Sequence, residues 1–219
     1  MAADDLLAEI GFFADLSPEA RAQLRAASTE RNLVRGDVLF REGDVPDHLY
    51  IVTAGRIAIS SRSPDGRESV FALMERGDLF GEMGFLDGLP RSADARALEP
   101  SSVLTMPFEP VRDLFAREPT RLWDVVRMLA GRIRAMDEAL ADSVFLDVTG
   151  RTAKRLLELA GDNDEFILPI TQEELAGLVG ASRERVNKAI SSFIRLGWLE
   201  QQDRRYKILQ RDRITQRAR

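Results

Sequence analysis

Three kinds of hydrophobic spacing follow one another along the 219 residues. From Asn32 to about Pro107 the apolar positions form short or alternating runs: Val38-Leu39-Phe40, Leu49-Tyr50-Ile51-Val52, Arg56-Ile57-Ala58-Ile59, Ser69-Val70-Phe71-Ala72-Leu73 and Ser102-Val103-Leu104-Thr105-Met106. Gly, Asp and Pro separate the runs, and Pro64-Asp65-Gly66 reads as a hairpin turn. Regularly spaced short strands of this kind predict a β-barrel or jelly roll. Ahead of them, Leu6 to Phe13 and Pro18 to Ala27 read as two short packing helices. The second opens with Ser17 as N-cap and Pro18 at the first helical position.

From about Phe108 to Asp142 the pattern turns helical, and its apolar residues fall at Leu122, Val126, Leu129, Ile133, Met136 and Leu140. Alternating steps of four and three make a narrow stripe, the signature of a coiled-coil seam. It predicts a long dimerisation helix and a two-fold dimer; a single helix lying on the barrel is the alternative.

Beyond Gly150 the spacing is that of compact helices. Arg151 to Leu159 places Ala153, Leu156 and Leu157, with Ala160 just beyond, on one face, and Gly161 to Asp164 is a loop. Thr171 and Glu174 form a capping box, Gly180 permits a sharp turn, and Ser182 caps a second helix. The inward residues of that helix are Val186, Ala189, Ile190 and Phe193. The pair reads as a helix-turn-helix, with an ordinary helical hairpin as the alternative. Leu199 to Leu209, polar at Gln201-Gln202-Asp203-Arg204, predicts a β-hairpin wing.

Composition narrows the class. Hydrophobic content of 44% and charged content of 31% are those of a globular protein. No apolar run approaches the roughly 18 residues of a bilayer span. The acidic start Met1 to Asp5 lacks the basic region of a secretion signal. The expectation is a cytoplasmic protein without a membrane partner. Zero cysteines exclude disulfides, iron–sulfur clusters and thiol redox sensing. His48 beside Asp47 reads as a surface-turn histidine, so no metal site is expected. The net charge of −5 hides an asymmetry: Arg183 to Arg219 carries eleven basic and four acidic residues, +7, which leaves −12 on the rest. A basic end on an acidic body fits a DNA-binding module joined to a sensing module, while Arg211 to Arg219 reads as a solvated tail.

The densest candidate chemistry is Gly81-Glu82-Met83-Gly84-Phe85-Leu86-Asp87-Gly88-Leu89-Pro90-Arg91-Ser92. Glycines at Gly81, Gly84 and Gly88 let amide N–H groups approach an anion. Arg91 can give a forked, charge-assisted pair of hydrogen bonds to a phosphate, and Ser92 a third donor. Glu82 would repel that phosphate, so its natural partner is a sugar hydroxyl. A Gly/Pro surface turn with a solvated ion pair is the bland alternative.

This stretch resembles the phosphate-binding cassette of cyclic-nucleotide-binding domains. Arg35-Gly36-Asp37 and Arg41-Glu42-Gly43-Asp44 resemble that domain's barrel turns, and Val144 to Arg151 resembles the interdomain hinge of the cyclic AMP receptor protein and fumarate–nitrate regulator (Crp/Fnr) family. Roughly Phe12 to Leu209 can be laid on it. The resemblance implies an α+β protein: a β jelly-roll cyclic-nucleotide domain over 1–107, a dimerisation helix over 108–144, a hinge over 145–150 and a winged helix-turn-helix over 151–219. It implies a ligand set of Gly81, Glu82, Met83, Arg91 and Ser92, with Ile59 and Phe71 lining the pocket; from the residues alone those two are core. The implied partners are cyclic nucleotide, double-stranded DNA, a second copy of the chain and RNA polymerase, with no resident cofactor.

Counting back from the hinge, the base-contacting positions of the cyclic AMP receptors fall on Met136 and Asp137, and neither matches. Met136 cannot donate to adenine, whereas Asp137 can accept from adenine's amino group or from guanine N1–H and N2–H. Cyclic AMP is favoured on the intact cassette, with cyclic GMP as the second reading. Arg132 matches a family ligand slot by the same count, or pairs with Glu138 or Asp142.

On the second helix, Arg183 can pair bidentately with guanine, Glu184 can accept from cytosine N4, and Lys188 reaches a guanine or a phosphate. Thr171 and Ser182 sit where helix N-termini meet phosphates. The family pattern Arg-Glu-x-x-x-Arg is met by Arg183 and Glu184, with Lys188 replacing the last arginine and softening the third contact; the resemblance implies TGTGA-like half-sites. A degenerate or retuned sensor on the same DNA-binding scaffold is the second reading. A phosphoesterase is the third; it lacks a paired-metal or histidine site.

Overall fold

The computed structural model of the protein describes residues 7–8, 10, 13–63 and 68–219. The predicted turn Pro64-Asp65-Gly66 and much of the predicted helix Leu6 to Phe13 lie outside the described residues. The chain divides into two compact units, Met1–Gly66 with Phe71–Ile133, and Arg67–Val70 with Arg134–Arg219.

The first unit is a β-barrel with helices at its ends. Helix α1 (Pro18–Ala27) starts as the sequence predicts, Ser17 accepting from the Ala20 amide at 3.2 Å. Strands β1 (Thr29–Leu33), β2 (Val38–Phe40), β3 (His48–Ala54), β4 (Ile57–Arg62), β5 (Glu68–Met74) and β6 (Leu79–Phe80) precede a short helix α2 (Glu82–Asp87). Then come β7 (Asp94–Ala97) and β8 (Ser101–Pro107). They pair as two four-stranded sheets in the orders β1-β8-β3-β6 and β2-β7-β4-β5. Leu49, Ile51, Leu104 and Met106 meet the helices in one core; Tyr50, Val52, Ile57, Phe80 and Val103 form a second inside the barrel.

The β3–β4 turn depends on Gly55, whose φ of +76° is a left-handed conformation. A Cβ there would lie 2.3 Å from Ser101 Oγ and 2.6 Å from the Pro100 carbonyl. Ser101 cannot yield without cost, because its hydroxyl holds the Arg56 amide and the Glu99 carbonyl. Gly55→Ala is expected to destabilise the barrel by about 2–4 kcal/mol, from left-handed strain plus overlap. A fall in the denaturant midpoint followed by circular dichroism checks it.

The helical stretch from Phe108 is two helices rather than one. Helix α3 (Phe108–Arg117) ends, Pro119–Arg121 forms a 3₁₀ turn, and α4 runs from Leu122 to Phe145. Pro119 is the cause: it has no N–H to donate, and it pushes Glu118 to φ −126°, ψ 69°, outside the helical region. On α4, Val125 is buried and Met128 and Leu129 pack against the barrel's helical core. Leu129, expected in the seam, therefore turns to its own unit, whereas Leu122, Val126, Ile133, Met136 and Leu140 are exposed.

The second unit contains α5 (Val148–Ala160), β9 (Glu165–Ile167), α6 (Gln172–Val179), α7 (Arg183–Arg195), β10 (Leu199–Gln202), β11 (Arg205–Ile208) and α8 (Arg211–Arg217). Its sheet has the order β10-β11-β9. Leu156, Leu175, Val186, Ile190, Phe193 and Tyr206 are buried in it. Two expectations are corrected. Gly150 does not end a hinge: α5 begins at Val148 with Asp147 as its N-cap, so only Leu146 and Asp147 separate α4 from α5. Nor is the segment after Gln210 a solvated tail, because α8 packs along α5 with Ile214 fully buried.

Candidate functional site

In the first unit, β6 delivers the chain to Gly81, whose φ of +82° turns it into α2, and Gly88 closes that helix in the same left-handed region. Gly84 also has a packing task. A Cβ there would meet the Pro46 ring at 2.5 Å, so Gly84 lets the helix lie against the β2–β3 connection. Gly81, Glu82, Met83, Arg91 and Ser92 all line one cavity of about 80 Å³. Phe40, Ile59, Met74, Phe80, Gly84, Ala93 and Arg132 complete its wall. Ile59 is thus both a barrel residue and a cavity residue. Phe71, on β5, is in neither the core nor the cavity: it is 62% exposed and absent from the wall.

Arg91 is buried, with its guanidinium donating to the Gly81 carbonyl at 2.8 Å and the His48 carbonyl at 2.7 Å. It lies 4.3 Å from the centre of the Phe40 ring, with Tyr50 and Phe108 also within cation–π range. Burial lowers its pKa below the ordinary arginine value, and the nearby Tyr50 and Asp47 oppose that shift. Its Nε has no hydrogen-bond partner among the described residues. A buried cation with a spare donor has the chemistry to accept an anion. His48, expected on a surface turn, instead starts β3 half-buried, and its Nδ1 lies 2.7 Å from Asp47.

Glu82 is almost wholly buried and pairs with Arg132, which also donates to the Leu79 carbonyl. Arg132 therefore joins the cassette rather than Glu138 or Asp142, and Asp142 is taken by Lys154 at 2.6 Å. Ser92 is exposed and its hydroxyl meets Met83 Sδ at 3.4 Å, a weak acceptor that a phosphate oxygen outcompetes. Met136 and Asp137 are exposed on α4.

The second unit sets out the other candidates. Thr171 accepts from the Glu174 amide at 3.2 Å while the Glu174 carboxylate accepts from the Thr171 amide at 2.7 Å, completing the capping box. Gly180 is left-handed, and Ser182 caps α7. Val186, Ala189, Ile190 and Phe193 are buried as expected, which leaves Ser182, Arg183, Glu184 and Lys188 exposed. Arg185 and Ser191 share the exposed face and were passed over; each stands three residues from Lys188, one on either side, and that spacing was the available signal. The wing forms where expected, and Tyr206 of β11 ties it to α6 through a 2.5 Å bond from the Gln172 amide. Between them lies a cleft of about 460 Å³ whose wall includes Thr171, Arg183, Gln201 and Arg204. Burial raises the Tyr206 pKa, so its hydroxyl stays protonated.

A β-barrel with a phosphate-type cassette and a winged helix-turn-helix in one chain define a one-component regulator: a small-molecule sensor and a DNA reader on the same polypeptide. Family comparison gives the same division. The cyclic nucleotide-binding domain matches residues 30–118, and the Crp-like helix-turn-helix domain matches residues 150–217. The CRP-like cAMP-activated global transcriptional regulator of Mycobacterium tuberculosis (strain CDC 1551 / Oshkosh) is 38% identical over 99% of this chain and 100% of its own length. The cAMP-activated global transcriptional regulator CRP of Salmonella typhimurium is 32% identical over 69% of this chain and 76% of its own. FixK2 from Bradyrhizobium japonicum, at 20% identity, has the same fold with a TM-score of 0.79, covering 88% of this chain and 98% of its own. The chain belongs to the Crp/Fnr family of transcription regulators.

Proposed function

We propose that the protein is a homodimeric transcription regulator whose affinity for an inverted DNA repeat is set by a cyclic nucleotide, cyclic AMP in the first place. The observation that carries this reading is the convergence of Arg91, Ser92 and Glu82 on one cavity of a barrel that continues into a helix-turn-helix. Arg91 and Ser92 take the cyclic phosphate, and Glu82, released from Arg132, takes the ribose 2′-hydroxyl. The cavity is far below the roughly 300–1,000 Å³ of a complete small-molecule site. Binding on this reading therefore reorients Arg132 and draws Arg91 from its two carbonyls. That rearrangement gives the nucleotide its differential affinity for two states, which is what shifts a population. The relatives named as cAMP-activated support the choice of base. Asp137, an acceptor for guanine N1–H and N2–H, supports cyclic GMP as the second ligand to test.

The reader is α7. Arg183 pairs with guanine, Glu184 accepts from cytosine and Lys188 holds a second guanine or a phosphate, on TGTGA-like half-sites about one DNA turn apart. Thr171 and Ser182 lie against the phosphates, as does the wing. Among the described residues no cluster of His, Cys, Asp and Glu could hold a metal ion. Nor is any described helix long and apolar enough to cross a membrane. The protein works on this reading with the chromosome in the cytoplasm and touches RNA polymerase there.

Electrophoretic mobility shift on a TGTGA palindrome, with cyclic AMP, cyclic GMP or neither, tests the reading. The expected result is tight binding with cyclic AMP and weaker binding without it. Absence of binding under all three conditions would overturn it. Binding that ignores both nucleotides, together with no calorimetric heat from either, would favour the degenerate sensor. Arg183→Ala is expected to cost about 1–3 kcal/mol of affinity and to relax specificity at one guanine, read by competition with substituted half-sites.

A further inference from the structure

We propose that α8 is a strap across α5 that fixes the junction between α4 and α5, with Arg217 as a positioning residue for DNA binding. The strap is fastened at both ends. At one end the Arg211 guanidinium donates to the Gly161 carbonyl at 3.0 Å, the Asn163 carbonyl at 3.2 Å and the Asp164 carboxylate at 3.1 Å, where α5 terminates. In the middle Ile214 is fully buried. At the other end Arg217 pairs with both carboxylate oxygens of Asp147. The backbone of α8 reaches the same place, since a Cβ on Gly150 would lie 3.1 Å from the Arg217 carbonyl.

Asp147 is the residue on which the junction turns. Leu146 still donates helically to the Asp142 carbonyl at 3.0 Å, so α4 is broken only at Asp147. There ψ is 174°, the extended backbone of an N-cap, and the carboxylate accepts from the Gly150 amide at 2.8 Å. With helical angles at Asp147, α4 and α5 would join into one rod and that cap would be lost. The Arg217 cation binds the carboxylate only where the cap places it, so it favours the broken junction. Arg151 assists by donating to the Leu146 carbonyl at 2.7 Å. Because α6 and α7 pack on α5, what sets the first turn of α5 sets the platform of the reading helix.

This inference rests on the reading that DNA affinity is set through the junction. The test is hydrogen exchange of the full-length protein together with DNA affinity at zero and saturating cyclic AMP. The variants are Arg217→Ala, Arg217→Lys and a chain ending at Leu209. Arg217→Ala should speed exchange of the amides from Leu146 to Arg151 by about two- to five-fold, the scale of one partly exposed ion pair. Exchange in the barrel should not change. The ratio of DNA affinities with and without nucleotide should shift at least two-fold, Arg217→Lys should restore both readouts, and the shortened chain should exaggerate them. A strap that only added stability would leave that ratio untouched, and an unchanged ratio or unchanged junction exchange overturns the proposal. If wild-type DNA binding ignores cyclic AMP, the nucleotide reading fails instead, and the junction exchange alone decides on the strap.

Discussion

Arg91→Gln is expected to reduce cyclic-nucleotide affinity by about a hundredfold or more, the largest loss available from one side chain of the cassette. A forked pair of charge-assisted bonds to a phosphate is worth about 3 kcal/mol or more, and each 1.4 kcal/mol is tenfold in affinity. Glutamine keeps a donor but neither the fork nor the charge. The substitution also acts on folding, because Arg91 is buried and holds the carbonyls of His48 and Gly81. Each buried carbonyl left without a partner costs about 1–3 kcal/mol. The two effects separate through Ser92→Ala. Ser92 is exposed and its hydroxyl meets a methionine sulfur, so its loss leaves the fold unharmed. An affinity loss of about five- to tenfold with an unchanged unfolding midpoint is expected, as for one hydrogen bond to a charged group. Calorimetry with cyclic AMP and denaturant titration on the same preparations check both. Nucleotide affinity that survives Arg91→Gln would mean that the phosphate is held elsewhere.

The contrast between those residues shows what the sequence could reveal. The cassette was readable because its donors sit within twelve consecutive residues, where local chemistry and spacing coincide. What buries Arg91 was not readable: Phe40, His48 and Tyr50 come from β2 and β3, far from Arg91 along the chain, and only sheet pairing brings them together. Phe71 failed in the opposite sense. It has the composition of a core residue, but it lies on the outward face of β5, where alternation exposes it.

The same distinction sorts the elements. The helix-turn-helix carried its own punctuation in Thr171, Glu174, Gly180 and Ser182, and each of these residues performs the capping or turning task its type predicts. Strand β1 carried no such pattern, because four of its five residues are exposed and it is held by backbone pairing to β8. Strand β7 hides its alternation in two alanines, Ala95 and Ala97, too small to register as a hydrophobic stripe. Helix α8 was masked by arginines. One buried apolar residue, Ile214, among basic neighbours reads as a tail until Asp147 and the end of α5 are known to face those charges. The Arg132 partner was missed because helical spacing proposes neighbours on one helix, while the carboxylate that receives it comes from the cassette.

The exposed stripe of α4 leads to the second large effect. Ile133→Asp combined with Leu140→Asp is expected to convert the proposed dimer to monomers. Those side chains are 59% and 64% exposed, so nothing in the folded chain resists the carboxylates. In a two-fold seam the same changes bring four charges into a desolvated interface with no partners. Sedimentation equilibrium should then report the 24.5 kDa chain in place of twice that mass. Leu129→Asp makes an informative comparison. Leu129 packs against the barrel's helical core, so its charge attacks the fold of one unit and lowers the unfolding midpoint instead. On DNA, a monomer offers one recognition helix to a palindrome built for two. The second half-site binds intramolecularly in a dimer, an advantage of about 10²–10⁴ in affinity that disappears when the helices part. The double variant should therefore bind the full palindrome no better than a single half-site, with a shallower dependence on salt because fewer phosphates are neutralised. Full-palindrome affinity retained by a demonstrated monomer would detach DNA recognition from the α4 seam, and with it the route from the barrel to the two reading helices.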